Sequence, residues 1–205
     1  MEWMNLRLPT LLATAALALA GCGSDEGTVG AKEGGNPTDR AFVEAMVPHH
    51  RSAVDMAKIA KKRGKSQFVK QLADDIIRSQ NAEIATMRRE DEGLEIAGVK
   101  TGKLGVAAHQ MGMDDDPAML RDAKPFDRAF IDMMIPHHQG AIRMARVEMD
   151  KGADPELKTL AEDIIDAQTR EIEDMNAHRK EEFGSASPAG GVPAGGEEHG
   201  NGHAG

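Results

Sequence analysis

The chain repeats itself. Residues 39–87 align with residues 127–175 at an offset of 88 without a gap, and 22 of the 49 positions are identical. Each copy opens on Asp-Arg-Ala-Phe and carries a proline followed by two histidines, Met-Val-Pro-His-His from Met46 to His50 and Met-Ile-Pro-His-His from Met134 to His138. Self-similarity on this scale means one supersecondary element used twice. Within the first copy Phe42, Met46, Ala53, Met56, Ala57 and Ala60 recur at steps of three, four and seven, the pattern of an amphipathic helix, which Gly64 or Gly152 then breaks. A second helix follows from about Ser66 to Glu92, with Val69, Leu72, Ala73, Ile76, Ile77, Ile84 and Met87 as its stripe. Asp154-Pro155 opens its counterpart with a capping side chain and a first-turn proline. Neither hairpin can bury its stripe alone, so the two are expected to pack as an all-α four-helix bundle related by a pseudo-twofold, spanning residues 38–182. The connection, residues 88–126, must finish the second helix and cross to the third. Its glycines and Asp-Asp-Asp-Pro point to a loop with room for one short helix.

The ends differ from this core. Residues 1–21 have the pattern of an export signal: one early arginine, Arg7, then an apolar run from Leu8 to Ala20 too short to span a bilayer. The run ends in Leu19-Ala20-Gly21-Cys22, which resembles a bacterial lipobox and implies that Cys22 becomes a lipidated first residue. An ordinary secreted protein with a free or buried thiol is the alternative, and one cysteine excludes a disulfide framework. Residues 22–37 read as a flexible tether, and 183–205 as a disordered Gly/Pro/His tail in which His199 and His203 are more readily solvated spacer than site. The expected location is the outer face of a bacterial cell membrane.

The formal net charge of −9 argues against nucleic acid as a partner and modestly favours cations. There is no tyrosine, and the one tryptophan lies in the signal, whereas the chain holds 13 methionines. Methionine is a flexible core filler and also a soft thioether ligand.

On a helical wheel Met46, His50, Ala53 and Ala57 lie within about 60° of one another, while His49 and Met56 flank them across Ala53. Met134, His137, His138, Ala141 and Met144 repeat the arrangement. A mid-helix proline costs about 3 kcal/mol and frees the carbonyl four residues back, at Glu44 or Asp132, so a kink that lets neighbouring imidazoles serve one site is the expected gain. The alternative makes Pro48 the first residue of a new helix. On the second helix Gln80, Glu83 and Met87 share a face, as do Gln168, Glu171 and Met175; Glu83 and Glu171 are candidates for metal ligand or for an acceptor that orients an imidazole, and surface-edge positions satisfy the same pattern. The connection adds His109, Met111, Met113 and Met119, either a lid that supplies soft ligands or an apolar cover. His178, near the last helix end, suits the helix dipole and carries no site role.

The doubled Met-x-Pro-His-His-x-x-Ala-x-x-Met signature resembles the domain of unknown function family 305, over residues 38 to 180. The resemblance implies a ferritin-like four-helix bundle, exported, with copper binding and tolerance in some members. It singles out Met46, His49, His50 and Met56, with Met134, His137, His138 and Met144. Imidazole with thioether suits Cu(I) and needs no thiolate, so the leading expectation is an extracytoplasmic copper-binding lipoprotein that sequesters or passes on Cu(I), with the membrane through Cys22 and a copper-handling protein as partners. A redox enzyme of the ferritin-like kind is a second reading, although the Glu-x-x-His pairs of di-iron bundles are missing, since Glu44 precedes His49 by five residues. A bundle whose histidines merely satisfy one another is the third.

Overall fold

The computed structural model describes residues 34–195 apart from Asp115, so the expected signal peptide, Cys22, most of the tether, and His199 and His203 lie outside the described residues. Four helices follow in order, α1 (Pro37–Arg63), α2 (Gln67–Ile96), α3 (Phe126–Lys151) and α4 (Pro155–Phe183), and no strand occurs among the described residues. Three starts are chemically marked. The Asn36 side chain accepts from Thr38 N and Asp39 N with Pro37 as first residue, the Ser66 hydroxyl accepts from Val69 N, and Asp154 accepts from Glu156 N and Leu157 N ahead of Pro155. Gly64 and Gly152 end α1 and α3 where the repeat requires tight turns. Pro48 and Pro136 both lie inside unbroken helices, so Pro48 does not begin a new one. The connection holds two short 3-10 turns, Ala108–Gln110 and Pro117–Arg121, where one short helix was expected.

Within each hairpin the two helices pack closely, and the hairpins meet chiefly through α1 against α3. The core divides into two apolar clusters at opposite ends of the bundle. One gathers the C-terminal half of α1, the start of α2, the N-terminal half of α3 and the end of α4, and holds Met56, Met134 and Met175. The other gathers the complementary halves and holds Met46, Met87 and Met144. Because α1 and α3 run antiparallel, each cluster takes two methionines from one repeat and one from the other.

The repeats are also clasped. Asp39 Oδ1 accepts from Ala153 N and Asp154 N, both at 2.9 Å, so the start of α1 caps the turn of the second hairpin. Asp127, its counterpart, accepts from Lys65 N at 2.8 Å and Ser66 N at 2.7 Å, capping the turn of the first. One departure from symmetry adjoins this clasp. Fully buried Glu148 stands where the first copy has Ala60, and burial, then the adjoining Asp39 carboxylate, pushes its carboxyl up to about 9.

Residues 184–195, expected from composition to belong to a disordered tail, lie against the bundle instead. Gln139 Nε2 donates to the carbonyls of Ala189 and Gly191, Arg146 to those of Pro193 and Ala194, and Arg179 to those of Ser185 and Ala186. Long side chains on α3 and α4 supply the backbone partners that a Gly/Pro-rich segment cannot supply itself, and Val192 packs on the core. Composition reports only the segment's own propensity.

The clasp makes a stability prediction. Asp127→Ala leaves the Lys65 and Ser66 amides without their carboxylate, and loss of two charge-assisted bonds is expected to cost about 2–3 kcal/mol. Urea unfolding should show a lower midpoint at unchanged slope; an unchanged midpoint would remove the clasp from the account.

Candidate metal centre

The four histidines form one buried layer between the two methionine clusters, none more than 2% exposed. Their pairing is not the one the dipeptide invites. Adjacent rings stand 6.2 Å apart for His49 and His50 and 6.5 Å for His137 and His138, centroid to centroid. The close contact crosses the repeats: the His49 and His137 centroids are 3.7 Å apart with the planes tilted by 37°. Since α1 and α3 are antiparallel and these are equivalent residues, the pseudo-twofold passes between them. His50 and His138 lie outside this pair, each directed to its own hairpin partner.

That partner is a glutamate. His50 Nε2 lies 2.5 Å from Glu83 Oε2, and His138 Nε2 lies 2.6 Å from Glu171 Oε2. His49 Nε2 lies 2.9 Å from the Met111 carbonyl oxygen. A carboxylate or a carbonyl only accepts, so Nε2 donates in all three bonds. In a neutral ring the lone pair is then on Nδ1, and the Nδ1 atoms of His49, His50 and His138 are all buried without a hydrogen-bond partner. His137 has no partner on either nitrogen. Buried polar atoms are rarely left this way, and a metal-bound imidazole typically donates its other N–H to a carboxylate or carbonyl. The donor set therefore fits a metal held through Nδ1, with Glu83 and Glu171 in the orienting position. Both carboxylates are partly open to solvent, at 17% and 21% side-chain exposure, which spares them the cost of full burial.

Electrostatics favours neutral rings at the crossing point. Burial pushes His49 down to about 3, and the surrounding imidazoles push the same way against the Met111 carbonyl. Burial and then His49 and its neighbours hold His137 well below the usual imidazole range. Neutral imidazole is the ligating form.

Met46, Met56, Met87, Met134, Met144 and Met175 are all buried in the clusters flanking this layer. Gln80 and Gln168 are buried too, each with its side-chain oxygen unpartnered. The connection contributes differently from the soft-ligand expectation: Met111 meets His49 through its backbone oxygen, while Met113 and Met119 are exposed, as is His109. His178 stacks on Phe68 at 4.3 Å, with Nε2 buried and unpartnered. Glu90, Asp154 and Glu156 bring carboxylate oxygens within 4.8 Å of one another at the second hairpin turn. Asp154 there caps α4, and an all-oxygen group suits hard cations rather than soft ones.

Fold and site define a duplicated four-helix bundle with a buried histidine–methionine centre. The chain belongs to the DUF305 family (Domain of unknown function), whose model matches residues 39–179. Among solved structures it is similar to CopM in the Cu(I)-bound form, at 35% identity over 71% of this chain and 97% of that one, with a TM-score of 0.61. A DUF305 fragment from Deinococcus radiodurans matches at 31% identity over 71% and 97% of the two chains, with a TM-score of 0.59. The uncharacterized protein L153 of Acanthamoeba polyphaga mimivirus is 43% identical over 51 residues, covering 25% of this chain and only 34% of that protein.

The two depressed histidines set an acid limb. Their neutral form is the folded form, so the stability they supply is complete above the ordinary value of 6.5 and is lost as pH falls below it, toward about 3 for His49, while the unfolded chain takes up protons. The metal-free protein should therefore lose melting temperature between pH 6.5 and 4 more steeply than a His49→Asn/His137→Asn variant; parallel curves would show that these rings do not titrate between the two states.

Proposed function

We propose that this chain binds copper, holding Cu(I) in the histidine–methionine layer, and that it works outside the cytoplasm as a lipid-anchored protein that sequesters the ion or hands it to a copper-handling partner. The observation that carries the reading is the buried layer of unpartnered Nδ1 atoms, three of them on rings whose other nitrogen is already committed to an acceptor. Similarity to CopM, whose structures hold Cu(I), Cu(II) or Ag, supports copper as the cargo. The oxidation state is argued from the donors. Imidazole serves zinc, iron and copper alike, whereas thioether selects the soft monovalent ion. His49, His50, His137 and His138 would hold the ion, with Met46, Met87 and Met144 on one side and Met56, Met134 and Met175 on the other.

Leucine replaces methionine at nearly equal volume and usually costs little stability, so it separates ligation from packing. Changing all six to Leu is expected to weaken Cu(I) binding at least tenfold in competition with a Cu(I) chelator, and to leave Zn(II) titration unchanged. If the folded variant competes as well as wild type, the methionines are core filler and the copper reading stands on histidine alone.

The anchor is tested separately. Cys22→Ser should move the protein from the membrane to the soluble fraction of bacterial cells, since the several acyl chains of a bacterial lipoprotein hold where a single chain does not. Equal solubility of wild type and variant would leave no anchor at Cys22.

A further inference from the structure

We propose that Met111 is a positioning residue of the metal centre, acting through its backbone carbonyl: the segment from Ala108 to Met113 docks on α3 so that this oxygen fixes the tautomer of His49 and presents His49 Nδ1 as a ligand. The inference rests on the copper reading for the identity of the ion, but not for the tautomer.

Docking of the segment is built into both surfaces. A Cβ on Gly140 would overlap the Met111 carbonyl, and a Cβ on Gly112, whose φ is +68°, would overlap the Pro136 carbonyl and come within 2.8 Å of His137 Cα. The segment thus lies on α3 at a distance that only glycine on each side allows. Arg143 Nη1 donates to the Gln110 carbonyl at 3.3 Å and ties the segment one residue further back. Gly140 in mid-helix costs about 1 kcal/mol against alanine. The first copy has Ser52 at the equivalent position, so the glycine occurs only in the copy that receives the segment.

The consequence is an asymmetric centre made from a symmetric sequence. His50 and His138 are oriented by equivalent glutamates, but of the crossing pair His49 has an acceptor and His137 has none. Only one connection exists between two hairpins, so only one member of the pair can be served by it. His49 is the pre-set ligand, and His137 is free to take either tautomer. Beside the segment lies a cavity of about 350 Å³, lined in part by His109, Asp114, Gln139 and Arg143.

The experiment uses the full metal-free chain labelled with 15N in histidine, and reads the tautomer of each ring by long-range 1H–15N correlation. Wild type should show His49 as the Nε2–H form. Gly140→Ala, which displaces the carbonyl, should remove that fixed signature and lower Cu(I) affinity about 10- to 100-fold, the usual effect of losing an orienting partner. Met111→Leu keeps the carbonyl and should change neither. Gly112→Ala displaces the same segment from the loop side and should reproduce the Gly140 result if that variant folds poorly. A His49 signature unchanged in a folded glycine variant overturns the proposal. So does a Met111→Leu variant that keeps the tautomer but loses Cu(I) affinity, which would make the sulfur the ligand. A wild type that binds no Cu(I) defeats the copper reading alone, because the tautomer measurement still decides the role of the carbonyl.

Discussion

Everything in this bundle is arranged around the contact between His49 and His137. Two equivalent rings meet on the pseudo-twofold, at 3.7 Å between centroids, buried in the bundle. A buried unpartnered polar atom costs about 1–3 kcal/mol, and the layer leaves five ring nitrogens in that state. Such a layer persists only if the surrounding structure supports it. The support comes from both ends: an apolar cluster on each side, with fully buried methionines among its members, and a carboxylate clasp by which each repeat caps the other's hairpin turn. Neither repeat is complete alone, since its own turn amides are served by the other's aspartate.

Symmetry brings the equivalent histidines together, and its departures give each a different setting. Gly140 for Ser52 admits the connecting segment on one side of the crossing pair. Glu148 for Ala60 places a buried, raised carboxyl beside Asp39 and not beside Asp127. In both cases the second copy carries the exception, and in the first the exception faces an element that exists once. A duplicated hairpin must be joined by a single connection, so complete equivalence of the halves is topologically impossible near that connection.

The bundle, its helix stripes and the capping at Asp154 were legible in the sequence because period and cap chemistry are local. The wheel puts the histidines only at the edges of the core stripe, whereas all four are buried. The cross-repeat pairing was not legible: the wheel shows which residues face inward, whereas the partner of His49 depends on the antiparallel setting of α1 on α3. The glutamates could be placed on the right face, but the choice between ligand and orienting acceptor depends on a distance. Nor could residues 184–195 be read as ordered, because their hydrogen bonds come from Gln139, Arg146, Asn176 and Arg179, far away in the chain. The clasp left one trace. Asp-Arg-Ala-Phe is identical in both copies, and an aspartate at a helix start is ordinarily assigned to its own helix, whereas its service to the other repeat's turn depends on how the hairpins dock.

Charge balance sets a further demand on a centre of this composition. Neutral imidazole and thioether bring no charge, so a cation entering the layer must be balanced by groups nearby, and the carboxylates tied to the layer are Glu83 and Glu171 at its edges. Each reaches the interior through an imidazole N–H, which lets the ring carry part of the compensation inward while the carboxylate keeps contact with water. A monovalent ion asks little of this arrangement. A divalent ion doubles the demand, and its cost of leaving water rises roughly as the square of the charge. Under the copper reading Glu83 and Glu171 would compensate the ion through the rings that they orient, an arrangement that carboxylate–histidine–metal groups use for divalent ions as well, so the choice of metal would rest on the sulfur.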